Sequence, residues 1–170
     1  MSNDITQASY KVEVDVEKIN RLLTQLNDKE AKKAIKAAIR KSALIIRKGA
    51  QNNLVSLFPS ANRSVTKKGV THKPLKNDIN LAVYRDAGGA RIDLLNKRKK
   101  GSRAYLLRFI EFGTNNRATK RPPKAGRYRG STAAHNFFSD AITAKKSEAE
   151  STLEQNIIDA IVKIANKNKK

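Results

Sequence analysis

Cysteine and tryptophan are absent from this chain, histidine occurs twice, and the only methionine is residue 1. Without cysteine there is no disulfide framework, thiolate zinc site or thiol nucleophile, which fits a reducing compartment. Aromatics are few, five Phe and four Tyr, so the core has to be built from Ile, Leu, Val and Ala. No apolar run reaches the roughly 20 residues that cross a bilayer, and no membrane partner is expected. The opening MSNDITQASY has neither a basic n-region nor an apolar h-region, an expectation against export by a signal peptide. His72 and His135 stand in loop-like stretches with no second ligand at metal spacing, so no metal or other cofactor is expected. The Gly pair in "DAGGA" is not followed by Gly-Lys-Ser/Thr, which excludes a P-loop. No constellation of nucleophile, base and orienting group is visible, and the chain is not expected to be an enzyme.

What the chain has in excess is positive charge: 36 Lys and Arg against 15 Asp and Glu, a net +21. The first 30 residues hold 4 basic and 6 acidic side chains, whereas 31–77 hold 12 basic and none acidic. Residues 97–129 hold another 12 basic against a single acid, Glu111. Such a field attracts polyanions and makes any nucleic-acid contact salt-dependent. The candidate contacts with DNA or with a partner protein are Lys97, Arg98, Lys99 and Lys100 in "NKRKKGSR", then Arg117, Lys120 and Arg121, and then Lys124, Arg127 and Arg129.

The pattern predicts one α+β domain spanning 1–170, with a small antiparallel sheet, a long helix in the N-terminal half and a C-terminal helix. "YKVEVDV" at 10–16 alternates as a half-buried strand does, and Ile19, Leu22, Leu23 and Leu26 have the spacing of a short amphipathic helix. Asn27 and Glu30 are a capping pair for a longer helix that has to stop before Pro59. At 100° per residue Ala31, Ile35, Ala38, Ile39, Ser42, Ile45, Ile46, Gly49 and Asn53 share one face of it, and Lys33, Lys36, Arg40, Arg47 and Lys48 the opposite one. "DINLAVYR" and "ARIDLL" flank "DAGG" as a hairpin, while "AYLLRFIEF", apolar on both faces, reads as a central third strand. The segments 59–77 and 113–134, rich in Gly, Pro and basic residues, read as extended mobile loops, and 166–170 as a frayed tail. From Asn136 onward a helix returns, with Phe138, Ile142, Ala149, Leu153, Ile157, Ala160 and Ile164 on one stripe. Ile158 and Val162 fall outside that stripe and, with Ile161, widen the apolar surface into a candidate subunit interface.

Glu111 closes the apolar run and is followed by Phe112, Gly113 and Thr114. No His or second carboxylate adjoins it in sequence, so a general base is the weaker reading. The stronger one is an anchor held ionised by a cationic neighbour, with Gly113 supplying φ > 0 and Thr114 bonding back to the turn. The segment then terminates a strand and aims the next loop.

"RFIEFGT", Arg108 to Thr114, resembles the phage and prophage tail-component family, in which a strand ends in Glu-Phe-Gly-Thr. The surrounding order is similar over about 10–165: an N-terminal strand, the Ala-rich helix "AKKAIKAAIRKSALIIRKGAQNNL", a loop, a hairpin, the motif and an Ala- and Phe-bearing last helix. It departs from the family where the basic insertion "KAGRYRGSTAAHN" separates Pro122 and Pro123 from Phe137 and Phe138, and where 59–77 lacks a Thr-Gly-Xaa-Leu pattern. The resemblance implies a non-enzymatic virion protein made in the bacterial cytoplasm, a tail-completion or head–tail joining subunit in the neck of a long-tailed phage. It also implies a homo-oligomeric ring, often a hexamer, touching neighbouring neck and tail proteins, with genomic DNA passing through the lumen. A basic nucleic-acid-binding protein for regulation or packaging is the alternative. Within a ring, most of the basic loops are expected to reach outward or onto neighbours, because a lumen carpeted with them would grip the DNA.

Overall fold

Thirty residues, Asp28–Leu57, form helix α1, the central element of a computed structural model that describes residues 9–13, 28–67, 69–94, 103–115 and 130–167. Its Ala, Ile, Leu and Lys content favours helix throughout, and Pro59 ends it, leaving the Phe58 amide to close the last turn on the Leu54 carbonyl. The predicted stripe is inward: Ile35, Ala38, Ile39, Ser42 and Ile46 are buried. Ala43, Ala50 and Leu54 are buried as well. They sit about a quarter turn further round, so α1 buries two adjoining faces rather than one.

Two further helices are α2 (Ala104–Phe112) and the C-terminal α3 (Phe137–Lys167), and the first face of α1 meets α3. Asn53 Nδ2 donates to the Phe137 carbonyl at 3.0 Å, Ser42 Oγ to the Ala149 carbonyl at 2.6 Å, and Lys41 Nζ to Asn156 Oδ1 at 3.1 Å. Positions fall on α1 as they rise on α3, so the two helices run antiparallel. Gly49 lies in this seam: a Cβ there would lie 3.2 Å from Lys145 Cγ and 3.6 Å from Ala141 Cβ. The second face of α1 carries the sheet, and Arg47 Nε reaches the Ile79 carbonyl at 2.9 Å.

That sheet has three antiparallel strands in the order β1-β5-β4, with β1 at Ser9–Glu13, β4 at Asn80–Val83 and β5 at Gly89–Asp93. Ala90 and Ile92 of the central strand are buried toward the core. The expected β4–β5 hairpin forms, but its turn differs in one respect. Ala87 takes the left-handed conformation at φ 65°, beside Gly89 at φ 154°.

Two readings are corrected. "AYLLRFIEF" is not a strand but the helix α2, in which Ala104, Leu107 and Glu111 are buried at i, i+3 and i+7. A short run apolar all round has no period to separate strand from buried helix, and here the helix-favouring Ala, Leu and Glu prevail. Residues 59–77 are not a featureless loop: they hold 3₁₀ turns at Pro59–Asn62 and Leu75–Asp78 around a hairpin of β2 (Val65–Lys67) and β3 (Val70–His72). Turn-forming residues rather than hydrophobic periodicity define this arm, so the alternation of a strand is hidden. The short helix at 19–26, the cap residue Asn27 and the end of the first strand at 14–16 lie outside the described residues. The described elements make a single α+β domain in which α1 lies between the sheet and α3.

Candidate functional site

Glu111 lies in the last turn of α2 and is 1% exposed. Its partners among the described residues are not cations. Oε2 accepts the Phe138 amide at 2.8 Å, and Oε1 accepts the Ser139 amide at 3.0 Å and the Ser139 hydroxyl at 2.6 Å. These amides belong to the second and third residues of α3, whose first turn has no intrahelical acceptors. A carboxylate there also meets the positive end of the helix dipole. Among the described residues, then, the carboxylate is met by the start of a helix where the local sequence suggested a Lys or Arg.

The backbone around the carboxylate is tied to the same junction. Asn136 donates its amide to the Glu111 carbonyl at 3.2 Å, and His135 donates to the Ile110 carbonyl at 2.9 Å. The carbonyls in the last turn of α2 thus find their donors in the segment that opens α3. Asn136 sits at φ 49°, a conformation Asn tolerates, and its carbonyl accepts the first helical bond, from Asp140 at 2.8 Å. His135 is not simply solvated, since its ring meets Phe58 edge-on at 5.1 Å between centroids.

Gly113 has the positive φ expected of it, 70°. Space forbids a side chain too: a Cβ would stand 2.6 Å from the Thr132 carbonyl oxygen and 2.8 Å from the Ala134 nitrogen. Thr114 donates its amide to the Thr132 carbonyl at 2.8 Å, and its hydroxyl accepts the Thr132 amide at 3.0 Å. Three of the four motif residues therefore join α2 to the chain entering α3. The segment ends a helix, not a strand. Phe112, the fourth, is 46% exposed.

On α3, Ile158 and Val162 are 53% and 52% exposed, so neither is taken up by the core. Ile161, grouped with them by sequence, packs inward against the core instead. Beyond its Glu111-bound first turn, α3 makes its bonds and close approaches along α1. A second apolar face was hidden by the strand reading of α2. Tyr105, Phe109 and Phe112 fall at i, i+4 and i+7 along that helix, and the Tyr105 and Phe109 rings meet edge-on at 6.0 Å.

The candidate basic contacts Lys97, Arg98, Lys99, Lys100, Arg117, Lys120, Arg121, Lys124, Arg127 and Arg129 lie outside the described residues. Elsewhere, Asp93 is a buried carboxylate at the end of the central strand, with Arg91 Nε 2.9 Å away but poorly aligned for a hydrogen bond. Among the described residues no three His, Cys, Asp or Glu side chains gather as a metal site, and no helix is long and apolar enough to cross a membrane. With three donors on its two oxygens, the Glu111 carboxylate is arranged as a fastening. No protein-family model, curated protein or solved structure matches the chain.

Proposed function

We propose that this chain is a structural subunit of a bacteriophage virion, a ring-forming protein that completes the tail or joins it to the head in the neck of a long-tailed phage. The observation that carries the reading is the part played by Glu-Phe-Gly-Thr. Glu111, Gly113 and Thr114 are used up in holding two helices together, which is what a motif kept for architecture rather than chemistry does. The resemblance of "RFIEFGT" and its surroundings to the tail-component family then supplies the biological setting.

Support for assembly comes from α3. A helix that already buries one stripe against α1 has no need of a second apolar flank, yet Ile158 and Val162 stand exposed one turn apart. A ring requires a heterologous patch on every protomer, and this flank has the chemistry for one. In the proposed particle the subunits close into a ring, a hexamer by the family's habit, between neck and tail proteins and around the passing genome. The β2–β3 arm, whose strand residues are mostly exposed, is a second surface that a neighbour would contact in this reading.

Sedimentation of the purified chain, alone and mixed with its neighbouring neck and tail proteins, tests the reading. A species at a multiple of 18.9 kDa is expected, visible as rings by negative-stain microscopy. An assembly lost on Ile158→Glu/Val162→Glu ties it to α3. A chain that stays monomeric with every neighbouring protein present overturns the proposal.

A further inference from the structure

We propose that a pocket between α1 and the β4–β5 turn binds the phosphodiester backbone of nucleic acid. The inference does not depend on ring formation. The pocket encloses about 330 Å³ and is lined, among the described residues, by Lys36, Ala37, Arg40, Val83, Tyr84 and Arg85. Three of these six are cations and none is acidic. Their convergence comes from the fold: Lys36 and Arg40 are one turn apart on the side of α1 that carries the sheet, and Tyr84 and Arg85 come directly after β4.

Among the described residues nothing absorbs the charge here. Arg47, the next basic residue along the same side of α1, is committed to the Ile79 carbonyl. Lys36, Arg40 and Arg85 make no hydrogen bond or ion pair with any described residue. Asp86, the acid next in sequence, has Oδ1 engaged by the Gly88 amide at 3.0 Å. Three like charges held together repel, and an entering anion relieves that repulsion.

The shape favours a polymer over a small free anion. The site is an open trough in which the cations stand beside the apolar Ala37 and Val83, and the half-buried Tyr84 offers a ring against which a sugar or base can lie. Lys33, exposed and one turn before Lys36, continues the line. Lys33 to Arg40 covers on the order of 10 Å of helix, the reach of about three successive phosphates of one strand. An acidic protein segment would satisfy the charges but would leave this spacing and the tyrosine ring without a purpose.

Fluorescence anisotropy of the full chain with a labelled duplex of arbitrary sequence, in a titration from about 50 to about 200 mM salt, tests the site. The variant Lys36→Gln/Arg40→Gln/Arg85→Gln is compared with Lys48→Gln/Lys146→Gln/Lys163→Gln, which removes the same charge from exposed positions outside the pocket. The pocket variant is expected to flatten the slope of log K against log salt by about 2 to 3 and to weaken binding roughly 10- to 1000-fold, at about 0.9 of slope per phosphate contact. The control variant should change affinity by less than about threefold. Equal weakening in the two variants would assign the affinity to diffuse charge and overturn the site, as would a wild-type chain that does not bind the duplex. Polyglutamate competing as well as DNA of equal charge would make the occupant an acidic protein. Complete displacement by inorganic phosphate at about 1 mM would make it a free-anion site. Either result overturns the nucleic-acid assignment. Should circular dichroism show the triple variant unfolded, Arg85→Gln alone, at an exposed turn position, should still flatten the slope by about 1, and no change there would count against the proposal.

Discussion

Glu111 Oε2 accepts the backbone amide of Phe138 at 2.8 Å, across a sequence separation of 27 residues. The carboxylate at the end of one helix thereby caps the start of another, a task usually done by a side chain at the helix's own N-cap. The position before the first turn, Asn136, has a left-handed backbone instead of the extended one of an ordinary cap. Capping has been transferred to α2, and the junction of α2 and α3 depends on it.

Glu111→Gln tests that dependence most directly. The amide keeps the shape but turns an NH₂ group toward at least one of the three donors now facing the carboxylate. Leaving buried donors unmatched costs about 2 to 3 kcal/mol, which is a fall in Tm of roughly 5 to 10 °C for a chain of this size. A thermal melt followed by circular dichroism reads it. An unchanged Tm would show that the junction does not rely on the charge.

Gly113 and Gly69 make a matched pair, with φ of 70° and 73°. Only Gly113 is crowded, since nothing lies within 4 Å of a Cβ at Gly69. Gly69→Ala should cost about 1 kcal/mol for the backbone alone. Gly113→Ala adds a collision with the Thr132 and Ala134 backbone and should cost about 3 kcal/mol or more. Urea denaturation of the two variants gives the difference, and equal costs would mean that the 113–134 contact is not structural.

The α1–α3 seam has little room at Gly49. Gly49→Leu should overpack it at a cost of about 2 kcal/mol or more. Gly49→Ala meets chiefly the flexible stem of Lys145 and gains helix propensity, so its net effect should stay within about 1 kcal/mol. Ser42→Ala, which removes the 2.6 Å bond to the Ala149 carbonyl, should cost about 1 kcal/mol. Midpoints in urea rank the three, and a benign Gly49→Leu would place the helices further apart than described.

The outer flank of α3 predicts the opposite behaviour, with little effect on the monomer and a large one on assembly. Ile158 and Val162 are both about half exposed, so Ile158→Glu/Val162→Glu should move folding stability by no more than about 0.5 kcal/mol per site. Helicity should stay unchanged while higher-order species disappear from sedimentation profiles. Loss of helicity in the double variant would mean that this flank belongs to the protein's own core.

Periodicity carried the two long helices, because thirty residues of 3.6-residue repeat cannot be read as a strand or a loop, and Pro59 sets a hard stop. The β4–β5 hairpin was legible from its turn residues. Gly49 could be assigned to a close approach from its place in the stripe, and Gly113 to a positive φ from its place between the apolar run and Thr114. The α2 helix was not legible. Nine residues apolar on every side satisfy a buried strand and a buried helix equally, and only packing beside α3 decides between them. With that decision came the aromatic face of Tyr105, Phe109 and Phe112, which exists only at helical spacing. Ile161, next to the main stripe, likewise turned out to pack against the core, which its sequence position beside Ile158 and Val162 did not reveal. Glu111 shows the division most clearly. Its chemistry, a buried carboxylate that must find donors, is set by the residue and its apolar neighbours. Which donors it finds depends on the entry of α3, more than twenty residues on, being folded back against α2, and no local pattern encodes that meeting.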